Sequence, residues 1–232
     1  MSCRLSAPGS FRTTNIPLAH RAGFALSGID LVKLRNSPNT NSMESHYSES
    51  TRLNNRFLVA MPQLQDRLFA QSVTYLCEHD EDGAFGLVVN KPLGVNLSQI
   101  FVQLNITPGA NFIDQPVLAG GPVHIEQGFI LHKGRGDWKH SAEVADDLYL
   151  TTSLDVLESI ANGNGPEEYL VTLGCASWGK GQLDDEMLAN SWLTCQVSDE
   201  VLFHLPHDAR ASAAAQIIGI DLSLLSPDVG HA

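Results

Sequence analysis

The stretch SVTYLCEHDEDGAFGLVVN, residues Ser72–Asn90, decides how this chain folds. Val73, Tyr75 and Cys77 alternate with Thr74, Leu76 and Glu78, the period of a strand with two distinct faces. Ala84–Asn90 is rich in valine and again reads as a strand. Between the two runs lies His79-Asp80-Glu81-Asp82-Gly83, a polar turn that ends in Asp-Gly. Two β runs around such a turn predict a hairpin. The spacing Glu78-x-Asp80-x-Asp82-Gly83 resembles the start of a calcium loop. That loop needs a bidentate Glu at its twelfth position and helices on either side, and here the twelfth position is Val89. A solvated hairpin turn is the better reading.

Working outward, Phe57–Met61 is a short apolar strand closed by Pro62. After the hairpin, Leu97, Ile100, Phe101 and Leu104 follow the i, i+3, i+4, i+7 pattern, so a helix starts at Asn96 and Pro108 ends it. Pro116–Ala119, Gly128–His132, Leu148–Thr151, Tyr169–Leu173 and Val201–His204 read as strands. Thr152–Asn162 reads as a helix with a capping box from Thr152 and Asp155 and a stop at Gly163. Gln182–Leu193 and Asp208–Ile220 read as helices, the first with an acidic opening turn. Strands outnumber helices without alternating with them, which excludes a doubly wound parallel sheet and predicts an α+β domain.

The chain has 232 residues, 43% of them hydrophobic, enough for one ordinary domain with its own core. Residues 1–52 differ from the remainder. Asn36–Asn55 is rich in Ser, Asn and Thr without apolar periodicity, and residues 1–42 carry a net charge of +4. A disordered or mis-started extension over 1–52, followed by a domain over 53–232, is the expected organisation; an Arg- and Ser-containing transit peptide is the alternative. No run is long and apolar enough to span a membrane. The four cysteines lie far apart and form no CxxC pair, which argues against a zinc ribbon or disulfide scaffold and for a reduced, cytoplasmic setting.

Residues 43–232 carry nine basic and 25 acidic side chains. Such a body repels phosphates, so direct nucleic-acid binding is not expected. Lys133, Arg135 and Lys139 are the nearest approach to a basic patch and read as a solvated loop.

Gly174-Cys175-Ala176-Ser177-Trp178-Gly179-Lys180 matches the phosphate-loop spacing G-x-x-x-x-G-K between a strand and a helix. Gly181 stands where a magnesium-holding hydroxyl belongs, and Trp178 is bulky where the loop must wrap a phosphate, so nucleotide binding is not predicted. Cys175 is the candidate nucleophile, read as lying near a helix N-terminus; a buried structural thiol is the competing reading. The histidines show no metal-ligand spacing. No cofactor and no metal is expected.

Several blocks together resemble the AlgH/YqgE family: Phe57-Leu-Val-Ala-Met-Pro62, Cys77-Glu78-His79, Gly86-Leu-Val-Val-Asn-Lys-Pro92, Gly120-Gly121-Pro122, Gly128-Phe-Ile-Leu-His132, Ser177-Trp178 with Gly181-Gln182-Leu183, Trp192-Leu193, and the ending Gly219-Ile-Asp221 with Gly230-His-Ala232. The likeness spans about residues 53–232. It implies an α+β fold on a mixed, bifurcating sheet with a small barrel, flanked by helices. It also implies a cytosolic bacterial protein without an established activity, some relatives being named as transcriptional regulators of alginate synthesis. In relatives the position of Cys175 is often Tyr, and Gly179-Lys180 is variable.

The function read from these residues is a non-enzymatic regulatory or binding module that acts through protein contacts, its partner and oligomeric state left open. The expected docking face combines Asn90, Lys91 and Pro92, Gly120, Gly121 and Pro122, and Trp178, Gly181 and Gln182. Gly allows close backbone approach, Pro fixes geometry, and Asn, Lys, Trp and Gln supply contacts. The rival is a small-molecule hydrolase or transferase using Cys175, Ser177 and a histidine.

Overall fold

A computed structural model describes residues 52–64, 66 and 68–225. The extension expected over 1–52 lies outside the described residues except for Arg52, as does the ending Gly230-His231-Ala232.

Ten strands and four helices follow in this order: β1 (Arg56–Ala60), β2 (Val73–Asp80), β3 (Gly83–Val88), β4 (Pro92–Asn96), α1 (Leu97–Leu104), β5 (Pro116–Ala119), β6 (Val123–Lys133), β7 (Ser141–Ala145), β8 (Leu148–Thr151), α2 (Leu154–Ala161), β9 (Tyr169–Gly179), α3 (Gln182–Leu188), β10 (Trp192–Gln196) and α4 (Arg210–Ile217). The strands form one curled sheet in the order β10-β1-β2-β3-β9-β6-β8-β7, with β4 and β5 branching from β9. The expected hairpin is β2–β3: Asp80 pairs with Gly83, and Cys77 is the extra residue of a bulge between Leu76 and Glu78.

The sheet forks at β9. Its first half takes β5 in parallel on one edge and β6 antiparallel on the other, both opposite Thr172. Its second half pairs with β3, Ala84 opposite Trp178 and Gly86 opposite Ala176. The α+β class with a mixed, bifurcating sheet is therefore what the chain adopts. Three apolar clusters fill the faces. Phe57, Tyr75, Leu87, Phe129, Leu131 and Cys175 centre the largest, on which α4 packs through Ala211 and Ala214. Leu97, Phe101, Val156, Leu157 and Val171 seat α1 and α2. Leu58, Leu76, Trp178, Leu183 and Trp192 seat α3.

Several local expectations are corrected. Residues 174–179 continue β9 as strand past the expected end at Leu173, so Cys175 stands mid-strand rather than at a helix N-terminus. The helix expected over Gln182–Leu193 ends at Leu188. Asn190 takes a left-handed conformation (φ 55°), and Trp192-Leu193 enter β10 opposite β1. Val201–His204 is no strand: Glu200–His204 forms a π-helical turn, because a four-residue apolar run has no period of its own to decide between strand and helix. α2 takes Ser153 rather than Thr152 as N-cap, and the Thr152 hydroxyl is buried without a partner. α4 is shorter than the Asp208–Ile220 run. β4, β7, the first half of β6 and the second half of β9 carry no clear alternation and were not legible as strands. Among the described residues no helix is long and apolar enough to cross a membrane.

Candidate functional site

Two of the three expected segments meet where the sheet forks. β5 and β6 flank opposite edges of β9, so Gly120-Gly121-Pro122 must carry the chain across that strand. Gly120 bonds through its N–H to the Leu173 carbonyl, and its own carbonyl accepts from Val88 N–H. A Cβ on Gly120 would lie 2.1 Å from the Gly174 carbonyl oxygen. On Gly121 (φ 152°) it would lie 2.3 Å from the Cys175 carbonyl. Gly174 faces them, with only 2.6 Å between such a Cβ and the Gly121 oxygen. The close approach expected of these glycines is made to the protein's own strand. Only Pro122 of the three is well exposed.

Asn90 and Lys91 are tethers. Asn90 is buried; its Oδ1 accepts from Val73 N–H (2.8 Å) and its Nδ2 donates to the Gln71 carbonyl (2.9 Å). Lys91 Nζ donates to the Ala70 carbonyl (2.6 Å), and burial lowers its pKa. Pro92 opens β4 and is exposed.

Trp178 is buried beside Trp192. Both indole N–H groups donate to Glu186 Oε2, at 3.0 and 2.8 Å, while Gln182 Nε2 donates to Oε1 at 2.9 Å. Phe69 packs on both indoles. Residues 69–71 thus touch Trp178 through Phe69, Lys91 through the Ala70 carbonyl and Asn90 through the Gln71 carbonyl, which brings two of the expected segments together. Gly181 is the left-handed N-cap of α3 with open space around it. Glu186 and Phe69 were not singled out in the sequence; the i, i+4 spacing of Gln182 and Glu186 was the available signal. Glu186→Ala leaves two indole N–H groups without their acceptor, and a loss of about 2 kcal/mol is expected in urea unfolding, with a red shift of tryptophan emission. An unchanged midpoint would mean that water replaces the carboxylate fully.

The rival chemistry fares differently. Cys175 is fully buried, its Sγ directed to the Val123 carbonyl (3.7 Å), and burial pushes its thiol up to about 12. Such a thiol holds almost no thiolate at neutral pH. Ser177 is exposed two residues further along β9. Cys77 and Cys195 are also free and buried, the latter pushed up to about 11, mainly by burial.

A fully buried histidine, His132, lies on β6. Its Nε2 meets Thr151 Oγ1 at 2.8 Å, and Thr151 Oγ1 meets Ser141 Oγ at 2.8 Å. Trp138 and Tyr149 pack on its ring. Burial lowers its pKa below the ordinary 6.5. The unfolded chain then binds the proton more readily than the folded one, so stability falls as pH drops below about 6.5 and stops falling below the folded pKa. Urea midpoints compared at pH 7.5 and 5.5 are expected to show this loss, and His132→Asn to reduce it. An equal loss in the variant would assign the effect to other groups.

Comparison with known proteins adds to this geometry. A family model described as AlgH-like matches residues 57–223. A UPF0301 protein of Cupriavidus metallidurans is 49% identical over 184 residues, covering 78% of this chain and 95% of that protein. One from Chromohalobacter salexigens is 48% identical over 181 residues, covering 77% and 98%. The solution structure of the AlgH protein from Pseudomonas aeruginosa aligns with a TM-score of 0.65 at 45% identity, over 82% of this chain and all of that one.

Proposed function

The chain belongs to the AlgH-like family, and from that premise we propose that it is a non-enzymatic binding module, a regulator that acts through protein contacts. The observation that carries this reading is the outer edge of β4. Among the described residues β4 pairs with β5 alone, and Pro92, Leu93, Gly94 and Asn96 along it are exposed. An open edge offers main-chain donors and acceptors to an extended segment of another protein, with alternate side chains supplying selectivity. Leu93 is the apolar contact, while Pro92 limits pairing at the start of the strand. Lys91 and the glycine crossover support this edge from behind rather than meeting the partner. Cys175, deep in the core with a raised pKa, supports a role without bond-making.

The test is affinity capture from native lysate with wild-type chain and with Leu93→Glu and Leu93→Pro, each first checked for an unchanged thermal midpoint. Recovery of the specific partner is expected to fall at least about tenfold in both, the effect of losing one well-placed anchor or strand bond. Retention of every specific partner by both variants would remove β4 from the binding face.

A further inference from the structure

At one end of the curled sheet four connections line an open, solvent-facing cavity of about 550 Å3: the loop after β6, the β7–β8 turn, the loop from α2 into β9, and the residues leading into the π-helical turn. That volume falls within the range of small-molecule sites. Its lining is charged. Lys133 pairs with Asp199 at 3.0 Å, and Glu168 with His204 at 2.8 Å. The π-helical turn sets both of these pairs, since Asp199 is its N-cap and His204 its last residue. Such turns are rare in proteins and concentrate at functional sites.

Three charged groups of the lining are left over. Arg135, Asp147 and Glu167 are exposed and form no ion pair with any described residue. One cation and two carboxylates that share a cavity without neutralising one another match a ligand of both signs. Trp138 supplies a fixed aromatic wall: its indole N–H donates to Ser159 Oγ at 3.0 Å, and its ring packs edge-on against His132. With two basic and four acidic side chains, the lining carries a formal charge of −2, which favours a ligand that is net positive.

We infer that this cavity binds a small zwitterion, an α-amino acid with a cationic side chain. Its carboxylate lies on the Arg135 guanidinium, a geometry suited to two parallel hydrogen bonds. Its ammonium and side-chain cation lie on Asp147 and Glu167. This site is separate from the β4 edge, and neither depends on the other.

Calorimetric titration of the full chain tests it with three probes: L-arginine, agmatine, which lacks the carboxylate, and 5-guanidinopentanoate, which lacks the α-amine. Arginine is expected to saturate the protein below about 10 mM and to bind about tenfold more tightly than either analogue, the usual effect of one charged contact. Arg135→Gln is expected to bring arginine to the level of agmatine and to leave agmatine unchanged. Asp147→Asn with Glu167→Gln is expected to weaken arginine and agmatine alike. Glu81→Gln, on the β2–β3 hairpin outside the lining, controls for general attraction of cations to an acidic protein and is expected to change nothing. All these positions are exposed, so folding is preserved, which the thermal midpoint checks. Equal binding of arginine and agmatine by the wild type, an effect of Glu81→Gln as large as that of the double variant, or no saturation by arginine would each overturn the assignment.

Discussion

Gly121→Ala is expected to abolish the cooperative urea transition of this protein or to cost at least about 4 kcal/mol, the range reached when backbone must move to admit an atom. The added Cβ would sit 2.3 Å from the carbonyl carbon and oxygen of Cys175 and 2.5 Å from the amide nitrogen of Ala176. None of these is a side chain that can swing aside. They belong to the strand that holds both arms of the fork, so moving them breaks the pairing of β9 with β3 or β6. Gly94→Ala is the matched control. Its φ of 82° is unfavourable for alanine, yet nothing lies within 4 Å of the new Cβ. Conformation alone then sets the cost, about 1–2 kcal/mol. If the two variants unfold within about 1 kcal/mol of each other, close on the RT scale of the measurement, the crossover is not packed as described.

Arg210→Ala is expected to have the second largest effect, about 3 kcal/mol. Arg210 is 2% exposed at the start of α4. Its Nη1 donates to the Val89 carbonyl at 2.6 Å and its Nε to the Leu205 carbonyl at 3.0 Å. It forms no ion pair with any described carboxylate, and burial lowers its pKa to about 10. The side chain therefore ties the end of β3 to the start of α4 through main-chain oxygens. Truncation leaves the Val89 oxygen buried without a donor, frees the partly buried Leu205 oxygen and opens a cavity. Arg210→Met fills the volume and removes the buried charge, so its midpoint should fall between those of wild type and Arg210→Ala. A wild-type midpoint for Arg210→Ala would show that the tie contributes nothing.

The alternation of Val73, Tyr75 and Cys77 and the Asp82-Gly83 turn were legible because a hairpin is local: residues ten apart determine it. The helix at Leu97 was legible for the same reason, its apolar stripe and its start at Asn96 both lying within two turns. The strand character of residues 174–179 was not legible, because the glycines there serve partners distant in sequence. Gly174 is shaped by Gly121, and Gly179 continues a strand opposite Gly83. Spacing along one segment cannot carry that information, and a phosphate-loop pattern and a strand at a fork then look alike. Trp178 was singled out for contact with a partner, but its side chain is directed inward to Glu186, Trp192 and Phe69. Arg210 gave no signal because a buried arginine satisfied by carbonyl oxygens needs no acidic residue at any spacing. The cavity beside Arg135 was equally silent, since Asp147, Glu167 and Asp199 come from three separate connections.

On the proposed reading, β4 receives a partner strand. Hydrogen exchange of the protein alone and in complex with its captured partner tests it most directly. The amides of Leu93–Val95 should exchange about tenfold or more slowly in the complex, the sign of new main-chain hydrogen bonds. Unchanged exchange along β4, with protection appearing at another surface such as α3, would contradict it.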